Sequence, residues 1–233
     1  MSCSNPPRFV TRFDVVPFLL LCVITLSADP TLTANTAKLD TPELVTAAVR
    51  KELDPNAIAI TDKDGNNAIT IWFRNTIPMK ATAEQVRNGL TYREIPDGTL
   101  IGVIQFEKPF VDFRKQDIKA GVYTMRFAVQ PDTGDHTGTA PHVEFVLLVP
   151  ADKDQDADTI EVKSLIKHST KVIGGDHPAV MLLFPQNTKV TKPMIAGKSD
   201  GVQVVSVLRK VTVDGEDSTL GFAIAVAGFS KTR

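Results

Sequence analysis

Residues 202–227 read VQVVSVLRKVTVDGEDSTLGFAIAVA: two strands and the turn between them. Val202 to Val213 is a long β-branched run, and branching at Cβ stiffens the side chain in a way that suits a pleated surface better than a helix. Asp214-Gly215-Glu216-Asp217 is turn chemistry. Beyond it Leu220, Phe222, Ile224 and Val226 alternate with Gly221, Ala223, Ala225 and Ala227. A period of two puts the first set on one face of a strand and the second on the other. The bulky face belongs in a core. The opposite face is nearly flat, so a second layer of chain can approach it closely.

The same pattern recurs upstream. Ala57–Thr61 and Ala68–Arg74 read as strands joined by Asp62-Lys63-Asp64-Gly65-Asn66-Asn67, with Gly65 free to take positive φ. Ile69, Ile71 and Phe73 share one face; Thr70, Trp72 and Arg74 share the other. Leu100, Ile104 and Phe106 alternate, as do Tyr123, Met125, Phe127 and Val129, with Thr124 and Arg126 turned away from them. Val143–Val149 and Ala179–Phe184 are nearly continuous apolar runs, as expected of central strands covered on both faces. Helix signals are few: Thr41-Pro42-Glu43 as a start followed by Leu44, Ala48 and Val49, the capping box Thr82–Gln85 closed by Gly89, and Thr159–Lys167. About eight strands and two or three short helices predict a mainly β chain, a two-sheet β-sandwich forming one domain over residues 38–230. Arg126 reads as a charge on the sheet surface, and Asp152–Asp158 as a solvated acidic loop.

The amino terminus has a different character. Arg8 and Arg12 precede the twelve-residue apolar run Val15–Leu26, and small and polar residues follow. That layout predicts a signal peptide over residues 1–28 and a periplasmic or secreted protein. The run is shorter than the ~20 residues a spanning helix requires, so no membrane span is expected in the mature chain. Cleavage would remove both cysteines, Cys3 and Cys22, together with two arginines and one aspartate, moving the formal charge from −1 to −2. Nothing in that balance recommends nucleic acid, which calls for a basic stripe.

Two motifs fail on inspection. Gly197-Lys198-Ser199-Asp200-Gly201 has the spacing of a hydrolase nucleophile elbow, which needs a following helix and a later histidine. A strand follows instead, and the last histidine is His177. Asp152, Asp154, Asp156 and Asp158 alternate as in a calcium loop, yet Ala157 and Lys163 stand where that loop needs Gly and Glu.

Lys119-Ala120-Gly121-Val122-Tyr123-Thr124, then Gln130-Pro131, then Gly134-Asp135-His136-Thr137-Gly138-Thr139-Ala140-Pro141 form a recognisable series. With K-x-G-x-Y-T, Q-P and G-D-H-x-G-T-A-P before an apolar strand, the chain resembles a group of uncharacterised exported bacterial β-rich proteins. The resemblance implies export and a β-sandwich, and carries no activity, ligand or functional residue. The loop Pro131–Pro141 is more elaborate than a hairpin needs, which makes Asp135 and His136 candidate ligand-binding residues. Trp72 and Arg74, side by side on one sheet face, are a second candidate pair for stacking and clamping a ligand. A buried aromatic beneath a second layer or the N-terminal helix is the commoner outcome for such a pair.

Four histidines, His136, His142, His168 and His177, complete the inventory. His142 heads HVEFVLLVP and His177 heads HPAVMLLFP. Were the helix between them a crossover joining parallel strands, His136, His142, His177, Asp135 and Asp176 would meet at one edge as a metal site, structural or hydrolytic. Antiparallel pairing is the commoner outcome and scatters them. The expectation is therefore an exported, non-catalytic binding or interaction module for an envelope or extracellular partner, with the histidine and carboxylate metal site as the alternative. No residue pattern names a cofactor.

Overall fold

A computed structural model describes residues 31–131, 140–186, 190–198 and 201–229. The leader segment, both cysteines, Asp135, His136 and Ser199 lie outside the described residues. The strands, in chain order, are β1 (Thr33–Lys38), β2 (Asn56–Thr61), β3 (Asn67–Phe73), β4 (Ile77–Met79), β5 (Leu100–Phe106), β6 (Phe110–Val111), β7 (Asp117–Ile118), β8 (Gly121–Val129), β9 (Glu144–Pro150), β10 (Val180–Leu182), β11 (Met194–Gly197), β12 (Gln203–Val213) and β13 (Glu216–Ala227). The helices are α1 (Ala47–Arg50), α2 (Ala83–Asn88) and α3 (Val162–Ile173), with a 3-10 turn at Tyr92–Glu94. The protein is mainly β, as expected.

One sheet has seven antiparallel strands in the order β1-β2-β3-β5-β8-β9-β10; the facing sheet has β11-β12-β13, with β4 parallel to β12 further along the edge that β11 begins, and β6–β7 is a separate two-stranded hairpin. The pair β12–β13 is the long hairpin that residues 202–227 predict. Its turn has φ 49° at Asp214 and 89° at Gly215, so both central residues are left-handed, and that backbone twist matches the flanking strands. Leu220, Phe222, Ile224 and Val226 enter the core between the sheets and meet Ile69, Ile71, Phe73, Met125 and Phe127 from the facing sheet. Phe222 packs tilted on Phe73, with ring centres 6.0 Å apart. The flat face of β13 is used as its composition suggests: a β-carbon on Gly221 would lie 2.7 Å from Gln186 Cγ, which crosses over it.

The sheets join at one side. After β10 the chain leaves the seven-stranded sheet, Leu183 bridges to Ile224, and Phe184 N donates to Ala223 O at 2.8 Å. Two residues on, Gln186 lies over Gly221 on the outer face of β13.

Both helix signals near the ends shift by a few residues. α1 starts at a Thr46 cap, not at Thr41, because Val45 and Val49 form the buried pair while Leu44 remains 57% exposed. α3 runs six residues beyond the expected end, to Ile173, and Gly174, with φ 73°, caps it.

The acidic stretch and Arg126 require correction. Arg126 is fully buried on β8, and Asp154, with a side chain 1% exposed, folds in over it. Arg126 Nε donates to Asp154 Oδ2 at 2.8 Å and Nη2 to Oδ1 at 2.6 Å. The remaining guanidinium protons go to the carbonyls of Gly98, Asp156 and Asp158. All five donors are thereby used. A guanidinium cannot be deprotonated to escape burial, so a loop that supplies one carboxylate and two carbonyls is what lets it sit inside.

Candidate functional site

A cleft of about 390 Å³ opens where the two sheets join, floored by Leu90 and Leu220 and walled by Tyr92, Arg93, Glu144 and Gln186. Its near wall is set by two local devices. In the capping box of α2, Thr82 N donates to Gln85 Oε1 and Gln85 N to Thr82 Oγ1. A second box follows, in which Thr91 N and Oγ1 both donate to Glu94 Oε2, at 2.7 and 2.8 Å. Gln85 Nε2 donates to Glu94 Oε1 at 3.1 Å, and this tie locks the two boxes together.

That anchoring drives Tyr92 inward. Its hydroxyl donates to Phe184 O and accepts from Ala223 N, both at 2.9 Å, and its ring packs on Phe222 at 5.3 Å. The phenol thus stands in for one rung of the ladder between β13 and the crossing segment. Burial pushes its pKa well up, and the Glu144 charge adds to that.

The far wall begins at the first residue of β9. Glu144, largely buried, faces the exposed Arg93 across 3.7 Å. His142, two residues upstream, sets its ring edge-on to Phe184 at 4.8 Å, and Lys198 Nζ lies 5.9 Å from the Phe184 ring centre. Burial lowers the His142 pKa; Glu144 opposes that and Lys198 reinforces it. The cleft therefore combines an apolar floor with charges of both signs at its mouth.

The histidines do not meet. β10 runs antiparallel to β9, with Val180 opposite Leu147 and Leu182 opposite Phe145. His142 therefore precedes one end of the pair and His177 the other, about 26 Å apart at 3.3 Å per residue. α3 does link the two strands, but it packs Leu165 against Leu147, Val149 and Val180 on the outer sheet face and returns the chain in the opposite direction. Asp176 and His177 are exposed, and His168 is partly covered on α3. Among the described residues, no three His, Cys, Asp or Glu side chains are grouped to hold a metal ion.

Trp72 and Arg74 are not presented to a ligand. Trp72 is buried against Val45, Val49 and Leu53, and its indole N–H donates to Leu39 O at 3.0 Å. Arg74 is tied to Glu52 at 3.4 Å. The N-terminal segment that reads as a helix start is the layer that covers them. None of Tyr92, Arg93, Glu144 or Gln186 stands out in the sequence. Only the second capping box, Thr91 to Glu94, is a local signal that this segment is fixed in place.

The chain matches no family model, no curated protein and no solved structure.

Proposed function

We propose that the protein is an exported, non-catalytic binding module whose ligand occupies the cleft between Leu90–Arg93, Glu144 and β13. The observation that carries the reading is the union, in one concave site, of an apolar floor and the Arg93–Glu144 pair at the mouth. Pockets that bind ligands are mostly apolar, with a few placed polar groups that orient the guest. The hydroxyls at the site support binding over turnover. Tyr92 is committed to Phe184 and Ala223, and Thr91 donates to Glu94 and accepts from Arg93 N. Both serve the architecture, and Tyr92, with its raised pKa, is a poor proton donor or acceptor. Export rests on the arginine-bearing start and the apolar run of residues 15–26. The resemblance to exported β-rich proteins points the same way.

A fragment screen by ¹H–¹⁵N NMR on the mature chain tests the reading. Hits should shift the amides of Leu90, Arg93, Glu144 and Gln186 together, and Arg93→Glu should weaken the charged ones at least tenfold. Hits that map to another surface, unaffected by Arg93→Glu, overturn it.

A further inference from the structure

The cleft lies at the end of an unfinished strand edge. In the β12–β13 ladder the turn is closed by the pair Val213 and Glu216, and pairs of this kind exchange both hydrogen bonds. Alternation then turns the N–H and C=O of Asp217, Thr219, Gly221 and Ala223 away from β12. Ala223 confirms the phase: its C=O accepts from Phe184 N and its N–H donates to Tyr92. The next three residues of that series, Gly221, Thr219 and Asp217, have no backbone partner on this edge among the described residues. Asp217 and Thr219 are exposed and Gly221 is partly so.

Resting on the binding reading above, we infer that the ligand is an extended segment of a partner polypeptide, which pairs with β13 along Asp217–Gly221 and places its leading residue in the cleft. The edge already accepts a strand of this kind from the chain itself. Leu183 and Phe184 pair with it, and the line ends where Gln186 crosses over Gly221 onto the outer face. An incoming strand continues that line end to end. Strand addition takes its affinity from main-chain hydrogen bonds and its selectivity from pockets for individual side chains, and here the cleft is that pocket. At the opposite end the exposed Glu216 and Asp217 favour a basic residue on the peptide. The edge from Asp217 to Gly221 carries no proline or lysine and no bulge, the devices by which sheets usually repel a further strand.

The probe is a phage-displayed library of random dodecapeptides selected on the immobilised mature protein, with binding of the enriched peptides then measured by fluorescence anisotropy. Enriched peptides should be apolar at one end and basic at the other, and Thr219→Pro should weaken them at least tenfold. Thr219→Pro deletes one edge donor without removing a bond to β12, and its circular dichroism reports whether the fold survives. A second measurement is independent of that variant. N-methylation of alternate peptide amides should abolish binding in one phase and spare it in the other. Peptides that bind equally in both phases, and equally to Thr219→Pro, overturn strand pairing and leave the cleft reading standing. A library that yields no enriched peptide also overturns the inference, while the fragment screen continues to judge the cleft. Concentration-dependent dimerisation abolished by Thr219→Pro would replace the partner polypeptide with a second copy of this chain.

Discussion

Asp154→Ala should be among the most damaging single changes outside the intersheet core. It removes both carboxylate oxygens from a guanidinium with no solvent exposure and leaves Nε and one Nη2 proton with no acceptor, the other donors still reaching Gly98, Asp156 and Asp158. Thr124 Oγ1 loses its carboxylate acceptor too. Breaking a buried pair from one side costs about 3–5 kcal/mol, because the orphaned charge stays buried. At about 2–4 °C per kcal/mol for a domain of this size, the melting point should fall by roughly 6–20 °C. The loop backbone holds α1 through bonds from Thr46 Oγ1 to Asp154 O and Gln155 O, so amide exchange should accelerate in both segments. Urea denaturation gives the free energy. The double variant Arg126→Met/Asp154→Leu should recover part of the loss, since an apolar pair removes the stranded charge but takes the guanidinium donor from the carbonyls of Asp156 and Asp158, while Gly98 O keeps the Ile160 amide. A loss below about 1 kcal/mol for Asp154→Ala would refute the reasoning, because only a solvent-screened pair is worth so little.

Four further outcomes are expected. The His142 imidazole should titrate below the ordinary value of about 6.5 in an NMR pH series, moving up in Lys198→Met and further down in Glu144→Gln. Because the folded state disfavours its protonated form, the stability it contributes is present above about 6.5 and is lost as pH falls through the lowered folded value. Asp112→Ala should cost about 1–3 kcal/mol in urea melts, since the fully buried carboxylate accepts from the amides of Arg114, Gln116 and Val180 and ties the β6–β7 hairpin to β10. Gly98→Ala should prevent folding or nearly so, since a β-carbon would lie 1.9 Å from Ile160 O at φ 81°. Gly65→Ala, at φ 82° with open space around it, should cost only about 1–2 kcal/mol. Intact mass spectrometry of the protein from its native host should find an N-terminus between Ala28 and Lys38, and a soluble species retaining Met1 would refute export.

Short-range physics was legible in the sequence. The alternation in residues 220–227, the Asp214-Gly215 turn, the Asp64-Gly65 hairpin and the Thr82–Gln85 box all depend on neighbours a few residues apart, so each appears in the structure as read. The mainly β sandwich follows from the same patterns. What the tertiary structure alone decided is which distant segments cover which faces. Arg126 reads as a surface charge because its partner Asp154 lies 28 residues away, in a stretch whose composition by itself favours water. Trp72 reads as a ligand contact or, more commonly, an aromatic buried beneath the N-terminal helix; its acceptor Leu39 O, 33 residues upstream, belongs to the covering segment that decides for burial. The helix between β9 and β10 is visible as a pattern, but periodicity is the same for a parallel and an antiparallel return. The docking of Leu165 onto Leu147 and Val180 set the direction, and with it the separation of His142 from His177. The cleft exists because Tyr92 reaches Phe184 and Ala223, 92 and 131 residues further along the chain. Contacts at such separations are determined by which surfaces exclude water together, a property of the folded whole that no local window of sequence contains.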